Sequence, residues 1–200
     1  TLSGGSEEDV LIGSGGDDII DAGSHDDIVL GDHGELEMHG MARESLLLMT
    51  THVDVAGADT IFGGSDEDVL IGGSGNDTID GGSEDDLIFG DNVDLDRRYD
   101  SNGDIVASPD LTSPRFRALI DGVIYDSDDV DQVDDATDYL DPAGVPTWAN
   151  WDIFIDDEER FNAYGDDYIA GGSHDDTIFG QLGDDTIQGD GSIAGKLLGN

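Results

Sequence analysis

Ten nine-residue units of this chain each place aspartate at the sixth position and leucine, isoleucine or valine at the eighth. A fixed short period means that one small structural unit stacks on copies of itself. Reading from Gly4 gives GGSEEDVLI, GSGGDDIID and AGSHDDIVL, then Gly31-Asp32. From Asp54 the register resumes as DVAGADTIF, GGSDEDVLI, GGSGNDTID and GGSEDDLIF, then Gly90-Asp91. From Asn162 it returns as NAYGDDYIA, GGSHDDTIF and GQLGDDTIQ, then Gly189-Asp190.

Position six of the unit is Asp9, Asp18, Asp27, Asp59, Asp68, Asp77, Asp86, Asp167, Asp176 and Asp185. Position eight is Leu11, Ile20, Val29, Ile61, Leu70, Ile79, Ile88, Ile169, Ile178 and Ile187. Residues seven to nine read as a strand of three whose middle side chain points inward. Such a strand is too short to stand alone and must pair in register with its copies. Residues one to six form the turn, where glycine permits positive φ and lets carbonyls approach a common point. The ten aspartates then add anionic oxygen, and carboxylates with carbonyls make a cage for a hard cation. Calcium suits it better than magnesium, which demands a tighter octahedron and keeps its water. The ten position-six aspartates are therefore the expected metal ligands, and the acidic residues at position five are expected to tune the field.

Composition supports a metal-dependent fold. Hydrophobic residues make up 36% of the chain and aromatics 6%, and 7 Lys+Arg stand against 49 Asp+Glu, for a formal charge of -42. A free chain of this kind stays open. It is either an unstructured acidic tail or a fold that needs cations, and the regular spacing of the charge favours the second. The acidity argues against nucleic acid as a partner. No apolar run approaches the ~20 residues of a membrane span. The chain has no cysteine, so disulfides and thiolate metal sites are excluded. Both ends read as cut from a longer chain.

The units match G-G-x-G-x-D-x-U-x over about ninety residues, and so resemble the RTX (hemolysin-type) calcium-binding nonapeptide repeats. The resemblance implies an all-β fold, a right-handed parallel β-roll (a β-helix or solenoid) with two nonapeptides per turn. It implies several calcium ions between turns stacked on the same side. It also implies type I secretion, folding outside the cell, and an extracellular or cell-surface location. Position four departs from the pattern at Glu7, His25, Asp66, Glu84 and His174, where strain in the turn is expected.

The expected organisation is a repeat block at 4–32, a hairpin insertion at 33–53, a second block at 54–91, a larger insertion at 92–161, a third block at 162–190, and the start of a further insertion at 191–200. Glu35 to His39 and part of Leu46 to Val53 alternate at strand period, as a hairpin does. In the larger insertion, Asn102-Gly103 and the stretch Phe116 to Tyr125 each predict a hairpin, and Asp126 to Asp141 a loop. Trp148, Trp151, Ile153, Phe154, Ile155 and Phe161 predict a small satellite core.

No H-E-x-x-H and no G-x-S-x-G occurs, so no catalytic residue is assigned and the chain is not read as an enzyme. Asp100, Asn102 and Asp104 imitate the start of an EF-hand loop, but Ile105 and Leu111 break it. The leading expectation is a calcium-binding structural module of a large secreted or cell-surface bacterial protein. Its expected partners are calcium and adjacent repeats, with self-association or surface adhesion as further contacts. The alternatives are the non-catalytic tail of a secreted hydrolase or toxin, and a module binding a ligand through 92–161. With one ion between units two apart, separate blocks hold about 4 ions and one continuous roll about 8.

Overall fold

The structure is a computed structural model, and it describes residues 1–39, 44–51, 55, 57–97, 102, 147–155 and 164–193. The hairpins expected around 103–106 and 116–125, the acidic loop at 126–141, the EF-hand-like residues Asp100, Asp104, Ile105 and Leu111, Phe161, and residues 194–200 lie outside the described residues.

Nonapeptide strands alternate between two parallel sheets. One contains β1 (Leu2–Ser3), β3 (Ile19–Ser24), β7 (Thr60–Ser65), β9 (Thr78–Ser83), β13 (Tyr168–Ser173) and β15 (Thr186–Asp190), paired in that order. The other contains β2 (Val10–Ile12), β4 (Ile28–Leu30), β8 (Val69–Ile71), β10 (Leu87–Phe89) and β14 (Thr177–Phe179), also paired in order. Each successive unit crosses to the opposite sheet, so two units make one rung. This is a parallel β-roll.

The register shows that the roll is continuous. Within a block, Leu11 pairs with Val29 and Leu70 with Ile88. Across the first insertion Val29 pairs with Leu70, and across the second Ile88 pairs with Ile178. The same position-eight partners meet in every case. Both insertions are therefore looped out while the ladder passes on without a missing step.

Position-eight side chains fill the interior. Ile20, Val29, Ile61, Leu70, Ile79, Ile88 and Ile169 are fully buried together with Ala22, and Leu2, Leu11 and Ile178 pack against them. Each buried aliphatic side chain contributes ~1.5–3 kcal/mol. Ile187 departs from the expected inward burial and is 48% exposed, because it sits on the edge strand β15.

The two sheets differ in a way the repeat consensus conceals. Strands β8 and β10 are buried at all three positions, reading Val-Leu-Ile and Leu-Ile-Phe. Strands buried on both faces read as unbroken apolar runs. The first sheet mixes polar flanks, Thr60, Thr78, Asp80 and Thr186, with Ile19, Phe62, Tyr168 and Ala170.

The chain divides into two compact units, the roll being one (1–35, 49–93 and 156–200) and residues 36–48 with 94–155 the other. The second contains a four-stranded sheet in the order β12 (Trp151–Ile155), β11 (Val93–Arg97), β6 (Glu44–Thr50), β5 (Gly34–His39). Strands from both insertions thus meet in one sheet. A 3-10 turn, Thr147–Asn150, precedes β12. Leu48, Leu95, Trp148, Trp151 and Ile153 are buried, whereas Phe154 is 40% exposed. The Arg97 guanidinium lies 3.6 Å above the Trp151 ring and donates to Asn150.

Candidate metal centre

The turns form two columns, one leading into each sheet. Asp18, Asp59, Asp77, Asp167 and Asp185 lead into the first sheet, and Asp9, Asp27, Asp68, Asp86 and Asp176 into the second. The structure thereby brings all ten expected ligand residues to equivalent places.

Within each column the aspartates are chained by hydrogen bonds. In the first, the N–H of Asp18 donates to Oδ1 of Asp59, Asp59 to Asp77, and Asp77 to Asp167, each at 2.8 Å. Asp167 N–H donates to Asp185 at 3.0 Å. The second runs Asp9 to Asp27 to Asp68 to Asp86 to Asp176 at 2.7–3.1 Å. The bonds fix each carboxylate and leave its second oxygen aimed elsewhere.

That second oxygen carries the chemistry. The Oδ2 atoms of Asp9, Asp27, Asp59, Asp68, Asp77, Asp86 and Asp176 are buried and accept no hydrogen bond. Leaving a buried carboxylate oxygen without a donor costs on the order of several kcal/mol unless a cation or proton meets it. In most of these turns the position-one glycine leaves space beside Oδ2. A Cβ on Gly72 would come within 2.5 Å of Asp77 Oδ2 and would also strike the Gly90 carbonyl oxygen of the next rung. Gly63 repeats the arrangement with Asp68 Oδ2 and Gly81 O, and Gly81 with Asp86 Oδ2 and Gly171 O. A carboxylate oxygen and a carbonyl oxygen from successive rungs therefore border one small space.

Among the described residues no three acidic or histidine side chains converge on a point. The donor set is carboxylate plus peptide carbonyl, which suits calcium and does not suit a transition metal. Burial, the largest cause, pushes Asp77 and Asp86 up to about 9 and Asp68 to about 8. It raises Asp59 to about 7, and Asp27 and Asp176 to about 6. Like charges in neighbouring rungs add to the rise. The most buried of these carboxyls hold protons in the absence of a metal, and a cation would displace them.

The chain carries RTX calcium-binding nonapeptide repeats. A family model of that description matches residues 3–34, 55–88 and 163–192 in four copies. No curated protein and no solved structure matches. The RTX turn accounts for aspartate at position six and for glycine at position one of every turn except that of Asp27, where Ala22 stands.

Position four separates the two columns of RTX turns. In the column of Asp18 it is always glycine, and in the column of Asp9 it is Glu7, His25, Asp66, Glu84 or His174. All five have left-handed backbone, with φ between 76° and 87°, which is the strain the sequence leads one to expect. Ladder contacts accompany it. His25 Nδ1 accepts from the Glu7 N–H at 3.3 Å, Asp66 Oδ2 from the His25 N–H at 3.2 Å, and His174 Nδ1 from the Glu84 N–H at 3.2 Å. The two histidines tie rungs together.

Position five also makes rung contacts, in the opposite sense. Asp17 Oδ1 accepts from the Ala58 N–H at 3.0 Å, and Asp85 Oδ1 from the Asp175 N–H at 3.0 Å.

Two further pairs belong to the RTX turns, although the repeat register assigns them to block ends. Gly31 donates to Ile71 O as Gly13 does to Leu30 O, and Gly90 donates to Phe179 O as Gly72 does to Phe89 O. Gly31-Asp32 and Gly90-Asp91 are therefore positions one and two of the turns that end in Asp59 and Asp167. The reading of Asp54-Val55 and Asn162-Ala163 in those places is corrected. The signal was present in the sequence, since Gly-Asp precedes both insertions and neither Asp54-Val55 nor Asn162-Ala163 contains glycine.

Proposed function

We propose that this chain is a calcium-loaded structural module of a larger secreted or cell-surface protein, and that it folds when calcium reaches it after export. The observation that carries the reading is the chain of eight aspartate-to-aspartate steps, four per column. Each step fixes one oxygen of a carboxylate, and at Asp27, Asp59, Asp68, Asp77, Asp86 and Asp176 the other is buried with no donor. One ion per step gives eight, the number expected of a continuous roll.

Calcium supplies the positive charge that lets buried, closely spaced carboxylates ionise. The residues proposed to hold it are Asp9, Asp18, Asp27, Asp59, Asp68, Asp77, Asp86, Asp167, Asp176 and Asp185, with the position-one carbonyls. At free calcium tenfold above Kd each site adds roughly 1.4 kcal/mol. Eight sites add roughly 11 kcal/mol, comparable with the stability of a whole domain. Binding free energy is then folding free energy, and a chain of -42 charge stays open until the metal arrives.

Calcium titration of chelated protein, read by far-UV circular dichroism with magnesium as control, tests this. A steep calcium-selective gain of β signal is expected. A chain equally folded in chelator and in calcium overturns the coupling. The ligand-binding alternative gains no support from the aromatic insertion, because Trp148 and Trp151 are 2% and 1% exposed and act as core.

A further inference from the structure

The geometry points to two calcium turns that are each built from two separated stretches of chain, closed by Asp32 and Asp91 across the insertions. This inference rests on the calcium reading above. The turn of Asp59 takes positions one and two from Gly31-Asp32 and position four onward from Gly57. The turn of Asp167 takes them from Gly90-Asp91 and Gly165. The family match stops at 88 and resumes at 163, so Gly90 and Asp91 lie outside it.

The cradle is complete in both cut turns. A Cβ on Gly31 would strike Asp59 Oδ2 and Gly72 O, and one on Gly90 would strike Asp167 Oδ2 and Gly180 O. The uncut turn of Asp77 meets the same limit at Gly72, and at Gly180 a Cβ would meet the Asp185 carboxylate alone. A cut turn differs from an uncut one at position two. Uncut turns of this column have Ser14, Gly73 and Gln181 there, while the cut ones have an aspartate.

Those aspartates make matching contacts. Asp91 Oδ1 accepts from the Gly165 N–H and Oδ2 from the Leu182 N–H, both at 2.9 Å. Asp32 Oδ2 accepts from the Ser74 N–H at 2.8 Å, and the Gly57 N–H donates to Ser74 O at 3.0 Å. Both carboxylates thus grip position three of the next rung, and Asp91 also grips position four of its own turn, beyond the insertion. Asp32 and Asp91 are 4% and 3% exposed. Asp32 Oδ1 stays buried without a hydrogen bond, so the first cut turn offers one more anionic oxygen than an uncut one.

Closing a turn across the larger insertion has a consequence for that insertion. Calcium at the Asp167 turn holds its two ends together, and Asp91 makes the ends meet. Both tryptophans of the chain lie between those ends. Tryptophan emission reports the order of the insertion, and far-UV circular dichroism reports the roll.

Full-length protein is titrated with calcium and read by both signals, with bound ions counted by isothermal titration. Wild type is expected to give coincident transitions. Asp91→Ala should move the tryptophan transition to at least fivefold higher calcium than the circular dichroism transition. Asp77→Asn, in an uncut turn, should move both together. Superimposed Asp91→Ala transitions with an unchanged ion count overturn the inference and leave the calcium reading standing. A wild type that takes up no calcium overturns both. If Asp91→Ala does not fold, hydrogen exchange on calcium-loaded wild type decides: protected Gly165 and Leu182 amides are expected, and free exchange at both overturns the closure.

Discussion

The backbone N–H of Asp77 donates to Oδ1 of Asp167 at 2.8 Å, although the two residues stand 90 positions apart in the chain. A local step of the ladder is thus a long-range contact. Asp167→Ala removes the acceptor and strands a buried N–H, which costs about 1–3 kcal/mol. Asp167→Asn keeps the acceptor and loses the charge. Both should lose calcium, but in saturating calcium the alanine variant should melt lower. Equal melting temperatures would show that the N–H step contributes nothing.

Metal-free protein should be more structured in acid than in base. Burial raises Asp77 and Asp86 to about 9, Asp68 and Asp91 to about 8, and Asp59 to about 7, all from 3.8. A raised pKa in the fold means that the folded chain binds more protons than the open one. That stability is present near pH 4 and is lost as pH rises through 6 to 9. Circular dichroism of dialysed protein at pH 5 and pH 8 measures it, and a stronger β signal at pH 8 would contradict it. Calcium reverses the trend, because it needs the ionised form. Calorimetry in buffers of different ionisation enthalpy should show protons released on binding at pH 7.

Gly72→Ala places a Cβ between Asp77 Oδ2 and Gly90 O. Overpacking of this kind costs about 1–3 kcal/mol. The variant should also lose one ion by isothermal titration, whereas Gly189→Ala, where a Cβ meets nothing within 4 Å, should lose none.

Glu84 holds φ of 76° with a side chain that is exposed. Its N–H donates to His174 through the backbone, so Glu84→Gly keeps that bond. Relief of the left-handed strain should raise the unfolding free energy by roughly 0.5–1 kcal/mol after the entropy cost of glycine. An unchanged or lowered midpoint in urea with saturating calcium would show that the strain is already offset.

The roll was legible because its determinants are local and repeated. Glycine at position one, aspartate at position six and an aliphatic at position eight each answer to one geometric demand, and ten copies expose the demand without an alignment. Other features were hidden for physical reasons. The Gly-Asp pairs before each insertion were visible, but turn completion by Gly31-Asp32 and Gly90-Asp91 is non-local, so a linear register assigned them to block ends. The union of β6 and β11 in one sheet joins strands from two separate insertions, which no local pattern announces. The apolar outer positions of β8 and β10 were readable, since Val69, Ile71, Leu87 and Phe89 contrast with the polar flanks Thr78 and Asp80 of β9, but the shared consensus averages the two kinds of unit together.

The cut turns also govern how the chain responds to a pull along its length. While Asp91 grips Gly165, the insertion between them bears no tension, because force passes from rung to rung beside it. If that turn opened and the sheet of β11 and β12 came apart with it, the insertion would add roughly 240 Å at ~3.4 Å per residue. On the proposed calcium reading, a chain of such units would give way in large discrete lengths and not by gradual stretching, with the calcium concentration setting the force at which each length is let out.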